Sequence, residues 1–355
     1  MKVMALNSSA RVGRESKTEI VLDHLVKGMR EAGADVEVIN LTKKKINYCI
    51  GCFTCWSKTP GQCIHKDDMS KELFQKYVDS DLIAMATPLY HYTVNALLKT
   101  FIERTLPVAE PFLELRDGVT RHPRRHPQKP VVAVSVAGFP EYSVFDELSS
   151  YMNYLFKDKL VAEIYRTSSE IMSVMMKEGK VKDALEATAQ GGRELVESMK
   201  ISDETMQRIN QQVSDFETMA PMANLYWQTC IDEKVTPLEF KEKGIAPRPS
   251  SIETYAAMMK LGFNKEKAGD AKAIMQFLFS GSVQGECYFK IEPGKFDVIT
   301  GKAESPDLTI ATPFEVWMDI LTGKADGQQM FMEKRYTAEG DISLLMRVNE
   351  FFGKD

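Results

Sequence analysis

Short continuous apolar runs and amphipathic stretches alternate along the first half of the chain. An apolar run of strand length predicts a buried strand, and apolar residues spaced three or four apart predict a helix that packs by one face. The stretch from Val21 to Met29 has that helical spacing, and Gly33 stands where a C-terminal cap is expected. The five predicted strands are KVMAL, DVEVINL, DLIAMATP, PVVAVSVAG and KLVAEIYRT.

This alternation predicts an α/β domain with a doubly wound, five-stranded parallel sheet that is covered by helices on both faces. In such sheets ligands bind at the carboxyl ends of the strands. The loops that follow the strands are therefore where site residues are expected.

The second half of the chain changes character. Residues 172–216 are highly charged and predicted to be helical, and residues 217–250 contain four prolines, which is typical of a connector. Beyond them, SIETYAAMMKLGF and DAKAIMQFLFSG have helical patterns, residues 285–312 resemble a meander of short strands, and two amphipathic stretches follow. We predict domains at residues 1–216 and 251–355, with a linker at 217–250 and an α+β second domain.

Composition narrows the class of protein. Of the 355 residues, 44% are apolar and 27% are charged, as in soluble globular proteins. The net charge of -5 gives no general attraction to nucleic acid, and no run of about twenty apolar residues predicts a membrane span. The stretch MKVMALNSSARVG lacks the pattern of a signal peptide, so we expect a cytoplasmic protein without structural disulfides.

Four of the six cysteines fall within YCIGCFTCWSKTPGQC. Cys49, Cys52 and Cys55 have the spacing that begins a bacterial ferredoxin motif, and Cys63 could complete a four-iron, four-sulfur cubane. A zinc site usually takes two separated cysteine pairs, so zinc is less natural here. Two alternatives stay open, namely cysteines that only pack beside Phe53 and a thiol pair that cycles with a redox cofactor.

The loop after the first predicted strand, NSSARVGRESKT, is rich in hydroxyls, contains Arg11 and Arg14, and leads into a helix. Backbone N–H groups at a helix start, together with hydroxyl side chains, form an anion site. The loop has neither the dinucleotide glycine fingerprint nor a Walker motif, so it favours a mononucleotide phosphate. The alternative is an ordinary helix start capped by Ser16.

Together with this loop, the segments INYCIGCFTCW, GQCIHKDDM and TPLYHYTVNALLKTFIER resemble the flavodoxin-like NAD(P)H-dependent FMN reductases, in the branch that includes the iron–sulfur flavoproteins. The resemblance covers residues 1–170 and implies FMN, with NAD(P)H as electron donor and a homodimer or tetramer. It implies phosphate contacts at Ser9, Arg11, Ser16, Lys17 and Thr18. The flavin-ring contacts that it implies are Pro88, Leu89, Tyr90, His91, Ala137 and Gly138.

In such a protein the chemistry belongs to the flavin, and we identify no catalytic side chain. The arginine-rich loop RDGVTRHPRRHPQK is more simply a solvated basic loop than a site for the NADPH phosphate.

The segment DLTIATPFEVWMDILTGKADGQQMFMEKRYTAEGDISLLMRVNEFF resembles the sterol-carrier-protein type of lipid-transfer domain. The resemblance covers residues 252–355 and implies a five-stranded sheet with helices around an apolar cavity. The candidate cavity residues are Phe277, Phe279, Phe289, Trp317, Met318, Phe331 and Met332.

The expected function is that of an FMN-dependent oxidoreductase that uses NAD(P)H and reduces a small, apolar or quinone acceptor. One alternative is an electron carrier whose cluster on the four cysteines feeds FMN. A second alternative is a lipid-binding or sensing protein whose flavodoxin-like half serves for oligomerisation.

Overall fold

The computed structural model describes residues 1–11, 13–116, 118–176 and 179–352. The chain divides into two compact units, Met1–Phe216 and Glu217–Asp355.

The first unit is built on a five-stranded parallel sheet in the order β2-β1-β3-β6-β7, which confirms the predicted doubly wound fold. Alternate residues of β1 enter different hydrophobic clusters: Val3 and Ala5 pack in one, Met4 and Leu6 in the other. Because both faces are covered, the strand sequence is continuously apolar. The strands of the sheet are β1 Lys2–Asn7, β2 Asp35–Asn40, β3 Leu82–Pro88, β6 Val131–Val136 and β7 Leu160–Arg166.

Helices cover both faces of this sheet. The cluster that contains Val3 also holds side chains of α1 and α6, whereas the cluster that contains Met4 holds side chains of α2, α3 and α4. A π-helical turn, Met69–Leu73, leads directly into α2. The helices are α1 Lys17–Glu31, α2 Phe74–Asp79, α3 Ala96–Glu103, α4 Asp146–Phe156, α5 Ser169–Met175, α6 Gly179–Ser198 and α7 Asp203–Ile209.

The arginine-rich segment, which the sequence predicts as a loop, begins within a small antiparallel hairpin of β4 Glu114–Arg116 and β5 Val119–Arg121. The hairpin region reaches the cysteine stretch, because the His122 ring lies 4.7 Å from the Trp56 ring, centroid to centroid. Arg125 in the same region pairs with Glu110 at 3.8 Å. The segment therefore packs on the unit rather than extending freely.

The second unit is an α+β structure, as predicted, with a five-stranded mixed sheet in the order β10-β9-β8-β11-β12. Strands β8 and β11 are parallel, and the other neighbours are antiparallel. Its strands are β8 Ala273–Ser280, β9 Gly285–Glu292, β10 Lys295–Thr300, β11 Leu308–Pro313 and β12 Thr337–Gly340. Its helices are α8 Phe216–Glu233, α9 Pro237–Glu242, α10 Ile252–Gly262, α11 Lys265–Ala268, α12 Phe314–Leu321, α13 Gly327–Met332, α14 Ile342–Met346 and α15 Val348–Phe352.

One element of this unit differs from the sequence prediction. The segment DAKAIMQFLFSG was expected to be a helix, but its apolar part forms the central strand β8. Only one face of the strand packs into the core cluster, but Ile274 and Leu278 on its half-buried face are apolar as well, so its sequence lacks the alternation that marks a strand. The predicted linker, residues 217–250, contains most of α8 and all of α9. The bounds of the two domains and of the linker stay a prediction.

Aromatic rings fill the centre of the second unit. Tyr255 is buried and its hydroxyl accepts a hydrogen bond from Trp317 Nε1 at 3.1 Å. The rings of Phe277 and Phe289 lie 4.6 Å apart. Five of the seven candidate cavity residues are buried in this core, whereas Phe331 and Met332 are exposed. Among the described residues, no helix is long and apolar enough to cross a membrane.

Candidate functional site

The carboxyl ends of β1, β3 and β6 meet at one edge of the first sheet. Asn7 lies beside Ala86 in the parallel pairing, and Pro88 lies beside Val136. Asn95 ties two of the following loops together, because its Nδ2 donates to Ser8 O at 2.6 Å and its backbone N–H donates to Thr87 Oγ1 at 3.1 Å. The candidate flavin loops therefore share one edge.

The loop between β1 and α1 places its hydroxyls and cations around a helix start. Ser16 is the N-cap of α1, and its Oγ accepts the Glu19 backbone N–H at 3.1 Å. Lys17 and Thr18 follow in the first turn, and both are buried together with Ser9. First-turn N–H groups have no partner within a helix, and the helix dipole favours an anion there.

Two cations of this loop face a carboxylate. Lys17 Nζ lies 3.8 Å from Glu170 Oε2, and Arg11 Nη1 lies 3.9 Å from Glu170 Oε1. The Glu170 carboxylate is thus an anion that lies beside both cations. The pair of cations, the buried hydroxyls and the helix start together fit a phosphate group.

The loop after β3 offers an aromatic surface at the same edge. Tyr90 and Thr93 exchange backbone hydrogen bonds of 3.1 and 3.2 Å, which closes a tight turn. His91 and Tyr92 at the turn have φ values of 47° and 64°, an uncommon left-handed conformation for these residues. Tyr90 and His91 are exposed, whereas Pro88 and Leu89 are half-buried at the strand end. The turn thus presents rings to solvent, where a planar ligand can stack.

The loop after β6 is fixed to the neighbouring strand. The Ala137 N–H donates to Arg166 O at 2.9 Å, and Ala137 O accepts the Ser169 N–H at 2.9 Å. Gly138 is exposed, and a Cβ added there would meet no atom within 4 Å. The space over Gly138 is therefore open to a ligand.

Two residues that the sequence analysis missed lie next to this loop. Thr167 and Ser168 are buried, and in the part of the chain that the structure describes their hydroxyl oxygens have no hydrogen-bond partner. The Ser168 backbone N–H donates to Phe139 O at 2.8 Å, which places the pair beside the β6 loop. Unpaired buried hydroxyls are costly, so they fit a site that a polar ligand completes. The signal in the sequence was the hydroxyl-rich stretch TSS after the fifth strand.

The four clustered cysteines line one small pocket together with Arg104 and His65. The loop folds back through residues with positive φ, namely Gly51 at 64°, Phe53 at 50° and Gly61 at 80°. All four thiols are free, Cys52 is exposed and Cys55 is buried. The structure thus gathers the cysteines that the sequence motif predicts as a set.

The surroundings act differently on two of the thiols. Hydrogen bonds from the side chain and backbone of Thr54 lower the pKa of Cys52. Burial raises the pKa of Cys55, and the charges of Cys63, Cys49 and Cys52 raise it further. The other three cysteines are thus near enough to Cys55 for their charges to act on its thiol.

Within the described ranges, no group of three or more His, Cys, Asp or Glu side chains is placed to hold a single metal ion. The ligands of a cubane are spread more widely, because each thiolate binds a different iron. Four cysteines around one pocket therefore fit a cluster better than they fit a mononuclear ion such as zinc.

A buried ion pair closes the base of the cysteine loop, and the sequence analysis missed its role. Arg104 Nη1 donates to Asp67 Oδ2 at 2.6 Å, and Nη2 donates to Asp67 Oδ1 at 3.1 Å. Asp67 also accepts the Asn47 N–H at 2.9 Å, while Arg104 donates to Asn47 O at 2.6 Å. Asn47 precedes the cysteines and Asp67 follows them, so one pair fixes both ends of the loop.

The two units are thus a flavodoxin-like domain with an anion site at the start of its first helix, and an α+β domain with an aromatic core. Residues 1–150 match the model of the NADPH-dependent FMN reductase family, and residues 260–353 match the SCP-2 sterol transfer family. Both resemblances that the sequence motifs indicated are therefore confirmed for these segments.

Curated relatives match within the first unit. An iron-sulfur flavoprotein of Archaeoglobus fulgidus is 36% identical over 153 residues, which is 43% of this chain and 60% of that protein. An iron-sulfur flavoprotein of Methanocaldococcus jannaschii is 35% identical over 104 residues, or 29% of this chain and 50% of that protein. The chain thus spans between half and three fifths of these relatives.

Among solved structures, an FMN-dependent NADH-azoreductase from Bacillus anthracis in complex with FMN is similar at 14% identity and a TM-score of 0.41, covering 56% of this chain and 98% of that one. The family match supports FMN as cofactor and an oxidoreductase as the class of protein. The roles of the individual site residues stay predictions.

Proposed function

We propose that the chain is an FMN-dependent oxidoreductase that takes a hydride from NAD(P)H and passes electrons to a small acceptor such as a quinone. The observation that carries this proposal is the cation pair Lys17 and Arg11 at the start of α1, within the segment that matches the FMN reductase family. This site lies at the strand edge where flavodoxin-like sheets bind their ligand.

FMN, when bound, supplies hydride acceptance and electron release. The residues of the chain bind and orient it. Lys17 and Arg11 neutralise the phosphate charge, and the first-turn N–H groups of α1 donate to the phosphate oxygens. Tyr90 and His91 form a wall for the ring system, and the space over Gly138 admits its edge. No side chain of the site is assigned as a general acid or base.

The experiment is to purify the chain, extract and identify its flavin, and follow the oxidation of NADH and of NADPH with a water-soluble quinone. Stoichiometric FMN with turnover by either donor is the expected result. A protein that neither retains FMN nor binds it when it is added would contradict the proposal. The comparison of the two donors also tests whether the hairpin region recognises the NADPH phosphate.

A second candidate function is favoured by the cysteine pocket. The four cysteines line one cavity, and the two relatives described above are named iron-sulfur flavoproteins. On this hypothesis the chain is an electron carrier in which a cluster exchanges electrons with FMN. Iron and FMN assayed together after purification without oxygen distinguish the candidates, because one cubane gives about four irons per chain.

The second unit supports a lipid-binding role, since residues 260–353 match the SCP-2 sterol transfer family. We infer that it binds an apolar molecule, identified by extraction of lipid from the purified protein. A lipid sensor whose first unit only oligomerises is the third alternative, and FMN retained with turnover argues against it. A homodimer or tetramer is proposed from the family resemblance and is measured by light scattering.

A further inference from the structure

The guanidinium of Arg104 is almost fully bonded within the protein. Its side chain is 1% exposed, and that of Asp67 is 0% exposed. Four N–H bonds are accounted for by Asn47 O and Asp67 Oδ2 at 2.6 Å each, and by Asp67 Oδ1 and Ser70 Oγ at 3.1 Å each. A guanidinium has five N–H donors in a rigid fork, so one donor remains.

The remaining donor belongs to the cysteine pocket. Among the described residues, Arg104 Nε has no hydrogen-bond partner although it is buried, and Arg104 lines the same pocket as all four cysteines. A second buried nitrogen of the pocket wall, His65 Nε2, also has no partner within that part of the chain. Buried polar nitrogens are rarely left unpaired, so these two point to a ligand that forms hydrogen bonds, and the Arg104 Nε–H requires an acceptor.

Sulfur atoms are the acceptors that this pocket offers. A cluster held by four thiolates is anionic, and hydrogen bonds to its sulfurs help to set its reduction potential. We propose that Arg104 is a positioning residue of the cysteine pocket, which fixes both ends of the loop and holds a positive charge and the Nε–H donor against the sulfurs of an iron–sulfur cluster. The inference rests on the second candidate function.

The direction of the effect follows from charge. Reduction by dithionite adds one electron to the cluster and changes no bond of the protein, so the reduced cluster is more negative than the oxidised one. A buried cation beside it stabilises the reduced state more and raises the reduction potential. Removal of the cation must therefore lower that potential.

The variants must avoid a buried, unpaired carboxylate, which would destabilise the fold. We compare Asp67→Asn with the double variant Asp67→Asn/Arg104→Gln, because these two differ only at Arg104. Arg125→Gln is the matched control, since it removes a cation that contacts the same loop; a Cβ on Gly61 would meet Arg125 Cδ at 3.5 Å. Each full-length protein is purified without oxygen, assayed for iron and titrated with dithionite while the cluster signal is followed by electron paramagnetic resonance.

We expect the equilibrium constant for reduction of the cluster to be at least about tenfold lower in the double variant than in Asp67→Asn. For one electron this corresponds to a reduction potential that is lower by about 59 mV. Arg125→Gln should change the reduction potential by much less. Bound iron with equal potentials in both variants would overturn the role of Arg104 and leave the cluster proposal intact. Absence of iron from the wild-type protein would overturn both. If the double variant does not fold, Arg104→Lys tests the Nε–H donor alone, because lysine keeps the charge near Asp67 without that donor. A lowered potential supports the hydrogen bond from Nε–H to the cluster, and an unchanged potential overturns it.

Discussion

Two cations of the first unit, Lys17 and Arg104, are buried by the fold in different ways. Arg104 is held by a carboxylate at hydrogen-bond distance, whereas Lys17 Nζ lies 3.8 Å from Glu170 Oε2. A buried cation this far from its counter-ion is costly. The position of Lys17 in the first turn of α1 therefore favours the proposed contact with the FMN phosphate.

Replacing Lys17 by glutamine should weaken binding of FMN and leave binding of riboflavin, which lacks the phosphate, unchanged. A charge-assisted hydrogen bond contributes about 1.5–3 kcal/mol, so the Kd for FMN should rise at least about tenfold. Quenching of flavin fluorescence measures both affinities on the apoprotein. Lys27→Gln is the control, because Lys27 lies on the same helix with its side chain 67% exposed. Equal weakening of FMN and riboflavin would contradict a phosphate contact.

Because of Asp67, the first unit is expected to be less stable at acid pH. Burial alone would raise the pKa of Asp67, but the hydrogen bonds from Arg104 and from the Asn47 and Ser70 backbones, with the charge of Arg104, lower it from 3.8 to about 2. A carboxyl whose pKa is lower in the folded chain stabilises the fold above its unfolded pKa. That stability is lost as the pH falls from about 4 toward 2.

Between about pH 6 and pH 2, the wild type should lose about 2 kcal/mol more unfolding free energy than Asp67→Asn does. Urea unfolding of the fragment 1–216, which carries both hydrophobic clusters of the first unit, measures this difference. Asp158→Asn serves as control, because the Asp158 side chain is 82% exposed. A pH dependence shared equally by Asp67→Asn and the wild type would show that the ion pair does not carry the effect.

At the scale of elements, α1 and α6 approach so closely that glycine is required at the contact. A Cβ on Gly192 would lie 2.2 Å from Leu25 O, and one on Gly28 would lie 1.7 Å from Ala189 O. Neither carbonyl can move without displacing its helix. Gly191, the neighbour of Gly192 in the same helix, would meet only side-chain methyl groups, the nearest being Ile201 Cδ1 at 3.0 Å.

Gly192→Ala should therefore destabilise the first unit by about 1–3 kcal/mol or more, although alanine is the better helix former by about 1 kcal/mol. Gly191→Ala has the same gain in helix propensity, but its added methyl group meets side-chain methyl groups that can rotate away. Its loss of unfolding free energy should therefore be much smaller. Thermal unfolding of the two variants gives the comparison. If both variants had the same melting temperature, contact between the backbones of α1 and α6 would not explain the effect of Gly192→Ala.

The elements that the sequence predicted correctly are those whose pattern is set locally. The inner strands β1, β3 and β6 of the first sheet are continuous apolar runs because both faces are covered, and α1 has a Ser16 cap and a clear apolar stripe. Strand β8 was predicted as a helix, since apolar residues on its half-buried face remove the alternation that marks a strand. The pair Arg104 and Asp67 joins residues 37 positions apart, which no local pattern reports. The motif did find the four cysteines of the pocket, but not the guanidinium beside them.

On the scale of the whole molecule, each unit has its own hydrophobic core. The clusters of the first unit contain residues up to Val213, and the cluster of the second begins at Ile252. A unit with a separate core can fold and unfold as an independent domain. From the presence of both units in one chain we form the hypothesis that the second unit delivers an apolar substrate to the first.

If that coupling exists, removal of residues 217–355 should leave FMN bound and NAD(P)H oxidation with ferricyanide, a water-soluble acceptor, unchanged. Turnover of a long-chain quinone supplied in detergent micelles should fall severalfold, mainly through a higher KM, because the fragment can no longer concentrate the apolar acceptor. Adding the separate fragment 217–355 controls for covalent linkage, since delivery through solution would restore the rate whereas delivery that depends on tethering would not. Equal turnover of the long-chain quinone by the fragment 1–216 and the full chain would mean that the second unit serves another ligand.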